Sequence, residues 1–342
     1  MKRAETRHQY IDRDSGSIRD EQLYWDPLVN FIYCEVREVA PELFRALIGP
    51  RTSRCLGFLN YDFALGTKLL GPVQFARRLG VPLSECLESP DELNTGRKFF
   101  ERKIKYWECR PMPDDPGIVV SPADGRVLVG SVRECSSLFI KGKFFSIDEL
   151  LGPDQHRWIR AFRDCDFAIV RLTPEKYHYN HTPAAGRLEA LYQVDGDFHS
   201  CNPGPVVAVA TPYSKNRRTV SIIDTDVPGG TGVGLIAMIE VVALMIGEVV
   251  QAYSEHRYDS PSVPEIGQLF SRGVPKSLYR PGSSTDVLLF QQDRIRFDRD
   301  LITNMSRPGA SSRFSRGFGA PLVETEVRVR SSIGISASRG GA

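Results

Sequence analysis

The sequence predicts an α+β fold, a helical N-terminal region packed on a β-rich core, and three observations predict it. Between Trp25 and Leu47 the apolar residues Val29, Ile32, Val36, Val39, Leu43 and Leu47 recur every three or four positions, the spacing of one helix face. At Pro111-Met112-Pro113-Asp114-Asp115-Pro116 the composition becomes that of a hinge. Beyond it come short β-prone runs between turns: IVVSP, RVLVGSV, SLFIKGKFF, DFAIVRL, GRLEALYQV, VVAVATPY, RTVSIID, DVLLFQ and RIRFD.

In chain order, residues 1–22 are polar and mixed in charge, a loose leader without the apolar stretch of a secretory signal. Residues 23–110 form the helical region: Pro50 ends the first pattern, and further helical spacing follows in Phe63–Leu70, Pro72–Arg78 and Ser89–Lys105. There, Ser89-Pro90-Asp91-Glu92 has the chemistry of a helix start. Residues 111–305 are expected to form a β-rich core with only brief helices such as Ser146–Leu151. Residues 306–342 are a Ser/Arg/Gly-rich tail, expected to be mobile over Ser306–Pro321 and to return as a strand near Val323–Val329.

The totals exclude several function classes. Lys plus Arg number 44 against 42 Asp plus Glu, a net charge of +2 that gives no general pull toward nucleic acid. The basic tail lacks interleaved aromatics, so no nucleic-acid partner is expected. Seven scattered cysteines without a CxxC pair argue against a disulfide framework or a zinc site and fit a reducing compartment. The apolar run Gly234–Val250 carries Glu240 and Glu248, which makes a membrane span unfavourable and core strands the expectation. Neither a G-x-S-x-G elbow nor a Walker loop is present.

Three stretches could carry chemistry. Ser121-Pro122-Ala123-Asp124-Gly125 joins two β runs, and Asp-Gly is first of all a turn signal. Lys176-Tyr177-His178-Tyr179-Asn180-His181-Thr182-Pro183 places two histidines three apart at a strand end. Imidazole there can carry protons near neutrality, and Pro183 argues against the helix a metal pair would need. The other histidines, His8, His156, His199 and His256, show no partner pattern and are taken as structural. Tyr279–Phe290, YRPGSSTDVLLF, sets hydroxyls on a tight turn at the mouth of an apolar strand.

Taken together these blocks resemble the phosphatidylserine decarboxylase family, over roughly Phe100 to Phe290. Pro122-Ala123-Asp124-Gly125 resembles its PADG block, and Lys143–Leu151 its Ser-Leu-Glu-x-Leu-Leu-like segment. Tyr177-His178-Tyr179-Asn180-His181-Thr182-Pro183, with Gly186 following, resembles Tyr-His-x-x-His-x-Pro. Asn216-Arg217-Arg218 resembles Asn-x-Arg, and Val233–Glu240 the small apolar segment before the final turn.

The resemblance implies a self-cleaving proenzyme that needs no external cofactor and no metal. A serine hydroxyl attacks the preceding carbonyl, which a tight turn can hold close. The resulting ester eliminates, and the serine becomes a covalent pyruvoyl group that decarboxylates an amine substrate through a Schiff base. By position, His181 is the base for self-cleavage, Asp124 orients it, and His178 serves decarboxylation in the proton transfer to the carbanion. The family has glycine before the reactive serine, whereas Gly282-Ser283-Ser284-Thr285 offers two registers. Counting from Phe290 and from Arg272-Gly273 favours Ser284, with Ser283 the alternative. Cutting at Ser283-Ser284 leaves a β chain of about 1–283 and an α chain of about 284–342, expected to stay associated, with a homodimer as a further expectation.

The implied substrate is phosphatidylserine, converted to phosphatidylethanolamine and CO2. The N-terminal helices would then present an amphipathic face to a membrane, or pack on the core instead. The expected location is cytoplasmic, peripheral at a membrane, without a transmembrane segment. Two alternatives stand beside this. The same chemistry could act on a free amino acid such as tryptophan, or the chain could be a non-processing relative that binds lipid or protein.

Overall fold

The computed structural model describes residues 7–23, 26–49, 52, 71–133, 144–209, 211–243, 248–280 and 284–339. Phe63–Leu70, Pro50, Lys143, most of the SLFIKGKFF run, and Pro281, Gly282 and Ser283 lie outside them.

The strands, in chain order, are β1 (Gln9–Asp12), β2 (Ile18–Asp20), β3 (Ile118–Val120), β4 (Gly125–Ser131), β5 (Asp166–Leu172), β6 (Tyr179–His181), β7 (Gly186–Val194) and β8 (Arg218–Asp224). They continue as β9 (Leu235–Val242), β10 (Val249–Gln251), β11 (Leu269–Phe270), β12 (Pro275–Tyr279), β13 (Ser284–Phe290), β14 (Ile295–Phe297), β15 (Glu324–Val327) and β16 (Ser332–Ser336). Ten of these form one sheet in the order β11-β7-β8-β9-β13-β5-β4-β15-β1-β2. Every pairing in it is antiparallel except β1 with β15. Two small sheets, β10-β12-β6 and β14-β16-β3, complete the core.

The central strands are apolar in both residue parities because both faces of the sheet are covered. Along β13, Val287 and Leu289 join one cluster with Phe167, Ile239 and Tyr213. Leu288 and Phe290 join the other, with Val170, Met238 and Tyr279. That is why the run beginning at Leu235 reads as continuously hydrophobic: it is β9, paired along its length with β8 and β13.

The N-terminal helices are short. Asp26–Phe31, a π turn at Ile32–Val36, Arg37–Val39 and Pro41–Ile48 follow one another. They bury Val29, Tyr33, Phe44 and Ile48 against Val209. Pro72–Leu79 is helical as its spacing predicts, and its last residue is followed by Gly80 in the left-handed conformation. At Ser89–Lys105 the helix is confined to Gly96–Phe100. Glu92 does close on the Ser89 N–H and hydroxyl, at 2.7 and 2.8 Å, but it caps a turn rather than a helix.

Two terminal segments depart from expectation. The leader is not loose over its described part: β1 and β2 extend the large sheet, and His8 and Glu21 enter a buried ion network with Arg126, Arg171 and Glu324. The tail is not free over Ser306–Pro321: Arg313–Phe318 is a helix whose Phe314 and Phe318 pack on Phe144. β15 then fills the predicted strand position. Composition read these segments as solvated because their burial relies on charge pairing and on two phenylalanines, not on an apolar run.

Candidate active site

Asp124 lies between β3 and β4, and a fork of hydrogen bonds holds its buried carboxylate. Arg110 Nε donates to Oδ1 at 3.0 Å, Arg110 Nη2 to Oδ2 at 2.8 Å, and the Val329 N–H to Oδ1 at 2.8 Å. Burial pushes this carboxyl up, but the Arg110 guanidinium outweighs it and holds the group below the usual carboxylate range. A cleft of about 430 Å³ reaches Asp124 and Tyr177, with Arg102, Arg110 and Lys176 also on its wall.

The two histidines sit on β6 and just before it, and both are fully buried. The Pro122 carbonyl accepts the His181 N–H at 2.7 Å, so the PADG-like turn packs on the backbone of β6. His181 Nδ1 faces the Gly273 carbonyl at 2.9 Å, which makes it the protonated nitrogen. Its Nε2 therefore accepts the Tyr177 hydroxyl at 3.0 Å. His178 Nδ1 likewise donates to the Lys176 carbonyl at 2.8 Å, and its ring stacks on Phe100 with centroids 3.5 Å apart. The His178 Nε2 has no partner among the described residues. Burial lowers both histidines to about 3, so both are neutral at pH 7.

Ser284 opens β13, the strand enclosed by β5 and β9, opposite Leu172 and Val242. It is buried and its Oγ has no hydrogen-bond partner among the described residues. Strand alternation puts Ser284, Asp286, Leu288 and Phe290 on one face, the face covered by Tyr279 and Phe100. The Tyr279 N–H donates to the His178 carbonyl at 3.0 Å and the Tyr279 hydroxyl to Asp286 Oδ1 at 2.7 Å, tying the histidine segment to β13. Asp124 and His181 are joined by field alone: Asp124 favours the protonated imidazole, but no direct bond links the two.

Residues 97–316 match the family model of phosphatidylserine decarboxylase, more than half of the chain. The chain belongs to the phosphatidylserine decarboxylase family. Among its curated relatives, a phosphatidylserine decarboxylase proenzyme of Chlamydia trachomatis is 29% identical over 329 residues, 95% of this chain and 96% of that protein. One of Fusobacterium nucleatum is 25% identical, over 86% of this chain and 91% of its own length. One of Azotobacter vinelandii is 34% identical, over 65% and 79%. The segment matched to the phosphatidylserine decarboxylase family contains Asp124, His178, His181 and Ser284.

Sequence reasoning missed Arg110, whose fourteen-residue separation from Asp124 carries no pattern. It also missed the Tyr177–Tyr258 hydroxyl pair at 2.7 Å and gave Glu240 no role. Glu240 is the centre of a buried cluster with Lys276, Asn180, Ser277 and Gln251. Two carboxylates inside an apolar run were the available signal for it. Asn216 of the Asn-x-Arg block is a backbone clamp: its Nδ2 donates to the His199 and Val242 carbonyls at 2.8 and 2.7 Å, and its Oδ1 accepts the His199 N–H.

The buried neutral histidines predict acid sensitivity. Their folded values lie near 3 against an ordinary 6.5, so between those limits the unfolded chain binds more protons. Their contribution is complete above 6.5 and is lost as pH falls toward 3. The chemical denaturation midpoint of the His178→Gln chain should therefore fall less steeply over that window than that of the parent. Parallel pH profiles would contradict the assignment.

Proposed function

We propose that this chain is a proenzyme that cuts itself between Ser283 and Ser284 and converts phosphatidylserine to phosphatidylethanolamine and CO2. Membership of the family carries the activity, and the buried, unpartnered Ser284 Oγ at the head of the central strand supports the position of the cut. In the cut, the Ser284 Oγ adds to the carbonyl carbon before it. His181 takes the hydroxyl proton once Nε2 releases Tyr177. Asp124, anchored by Arg110, favours the charged imidazole that results.

The residues fit a pyruvoyl group made from Ser284. The Ser284 Oγ, His178 Nε2, Asn180 Oδ1 and Asp286 Oδ2 are all buried without partners among the described residues. Such unmade hydrogen bonds are costly unless substrate or processing completes them. The ketone carbonyl of that group supplies an acceptor for a substrate amine and for the charge left as CO2 departs. The sequence reading gives His178 the proton transfer to the carbanion; because its Nε2 is an unprotonated lone pair, we assign it instead the removal of the proton an ammonium must lose before it reacts. After the cut the α chain stays in place, because β13 is bonded along all seven residues to β5 and β9 of the β chain.

Among the described residues no helix is long and apolar enough to cross a membrane. The exposed Phe31, Val39 and Leu43 of the N-terminal helices suit peripheral contact with a phospholipid surface. The test is incubation of the purified cleaved protein with phosphatidylserine in mixed micelles, reading phosphatidylethanolamine and CO2. Free serine and free tryptophan serve as competing substrates. The expected result is turnover of the lipid alone, and turnover of a free amino acid without lipid turnover would move the assignment to the soluble substrate.

A further inference from the structure

The catalytic roles above leave one proton without a source. When CO2 leaves, the carbon it leaves must gain a proton. His178 does not hold one at rest, since its only ring proton is given to the Lys176 carbonyl, and the proton it takes from the substrate ammonium leaves again in the water expelled when the amine condenses with the ketone. His181 has both nitrogens engaged.

Asp286 is two residues along β13 from Ser284, on the same face and roughly 7 Å away by strand rise. Directly across the register from it on β9 is Glu240. Both carboxyls are fully buried, and the cation beside them, Lys276, is bonded to Glu240 and not to Asp286. The hydrogen bonds decide which acid is charged. Glu240 collects Lys276 Nζ at 2.7 Å, Asn180 Nδ2 at 3.1 Å, Gln251 Nε2 at 3.2 Å and the Ser277 hydroxyl. Asp286 receives only the Tyr279 hydroxyl, on Oδ1, and its Oδ2 has no partner. With four donors on Glu240 and one on Asp286, Asp286 is the acid that keeps a proton, on the unbonded Oδ2. Burial and the adjacent Glu240 also push Asp286 well above the ordinary carboxylate range.

Resting on the decarboxylase assignment, we propose that Asp286 is the acid that protonates the substrate carbon after CO2 departs. The bond from that carbon to the carboxyl group breaks, CO2 leaves, and the electron pair stays on the carbon. The Oδ2–H bond of Asp286 then breaks, its proton forms the new C–H bond, and the pair remains on the carboxylate. Beside Glu240 that carboxylate is a strong base, and it recovers a proton from water. One proton is consumed for each CO2 released, as the net reaction requires. The same arrangement accounts for an acid placed in the apolar core face between Ser284 and Leu288.

Two measurements test it. The first uses the Ser284→Ala chain, which makes no pyruvoyl group and does not turn over. At pH 7 its infrared spectrum should show the carbonyl stretch of a buried protonated carboxylic acid, and adding Asp286→Asn should remove it. Absence of that band in the Ser284→Ala chain would overturn the proposal without recourse to a second substitution. The second uses the Asp286→Asn chain with Ser284 intact. It should cut itself as the parent does, with KM unchanged and kcat lower by ~10²–10⁴. Its α chain should accumulate an N-terminal alanine, the product of protonation on the wrong carbon. A kcat within about threefold of the parent, or a chain that no longer cuts, would overturn the role. Failure of the decarboxylase assignment itself would show separately, as a parent chain that neither cuts nor releases CO2.

Discussion

Replacing Ser284 by alanine should leave a single polypeptide of 38.3 kDa that never separates into two chains and has no decarboxylase activity. Under the proposed roles the effect is total, because the hydroxyl is both the internal nucleophile and the precursor of the reactive carbonyl, so no partial route survives. The fold should hardly notice the change. The Ser284 Oγ makes no hydrogen bond, so its removal leaves no broken partner and costs within about 1 kcal/mol. Intact mass under denaturing conditions reads the outcome, with a melting curve beside it to show that the alanine chain is folded. The companion substitution Ser283→Ala fixes the register. If Ser284 is the residue converted, the Ser283→Ala chain still cuts and releases an α chain of unchanged mass. Loss of cleavage in the Ser283→Ala chain, with cleavage kept in Ser284→Ala, would transfer the role to Ser283.

The second large effect falls on His178. His178→Gln should process to two chains yet lose ~10²–10⁴ in kcat, because the free Nε2 lone pair is the base available to the substrate amine. Glutamine retains bulk against Phe100, so packing loss contributes less than it would with alanine. Mass spectrometry of the cleaved chains and turnover of phosphatidylserine separate the two stages. An uncut His178→Gln chain would place His178 in the cutting step, and near-parental turnover would remove it from the chemistry. The converse pattern, arrest of cutting with the chain otherwise folded, is expected for His181.

Asp124, His178, His181 and Ser284 stand out in the sequence as candidates because their neighbours are patterned. Asp124 and His181 lie in short blocks with proline and glycine, and Ser284 lies where a Pro-Gly turn meets an apolar strand. Most β runs after Pro111 were equally local and so legible, but VVAVATPY was not one of them: Pro203–Ala208 and Pro212–Lys215 are short helices, each opened by a proline in its first turn, where an apolar run alone does not separate helix from strand. The terminal segments were misread for the opposite reason. His8 and Glu324 are 316 residues apart and meet at 2.9 Å, and nothing in hydropathy signals that such polar residues will be buried.

By itself, the sequence determined the class of fold, most of the core strands and the residue types available for self-cleavage and decarboxylation. Those follow from short-range periodicity and from motifs a few residues long. The tertiary structure alone decided what each group can do. It saturated Asp124 with Arg110, engaged both nitrogens of His181 and left the Nε2 of His178 open. It also set Asp286 against Glu240 while giving the only bonded lysine to Glu240. Protonation state depends on the field, the desolvation and the hydrogen-bond partners at one point in space. Strands distant in the chain supply all three, so the distribution of protons in the site emerges only when β6, β9, β12 and β13 pack together.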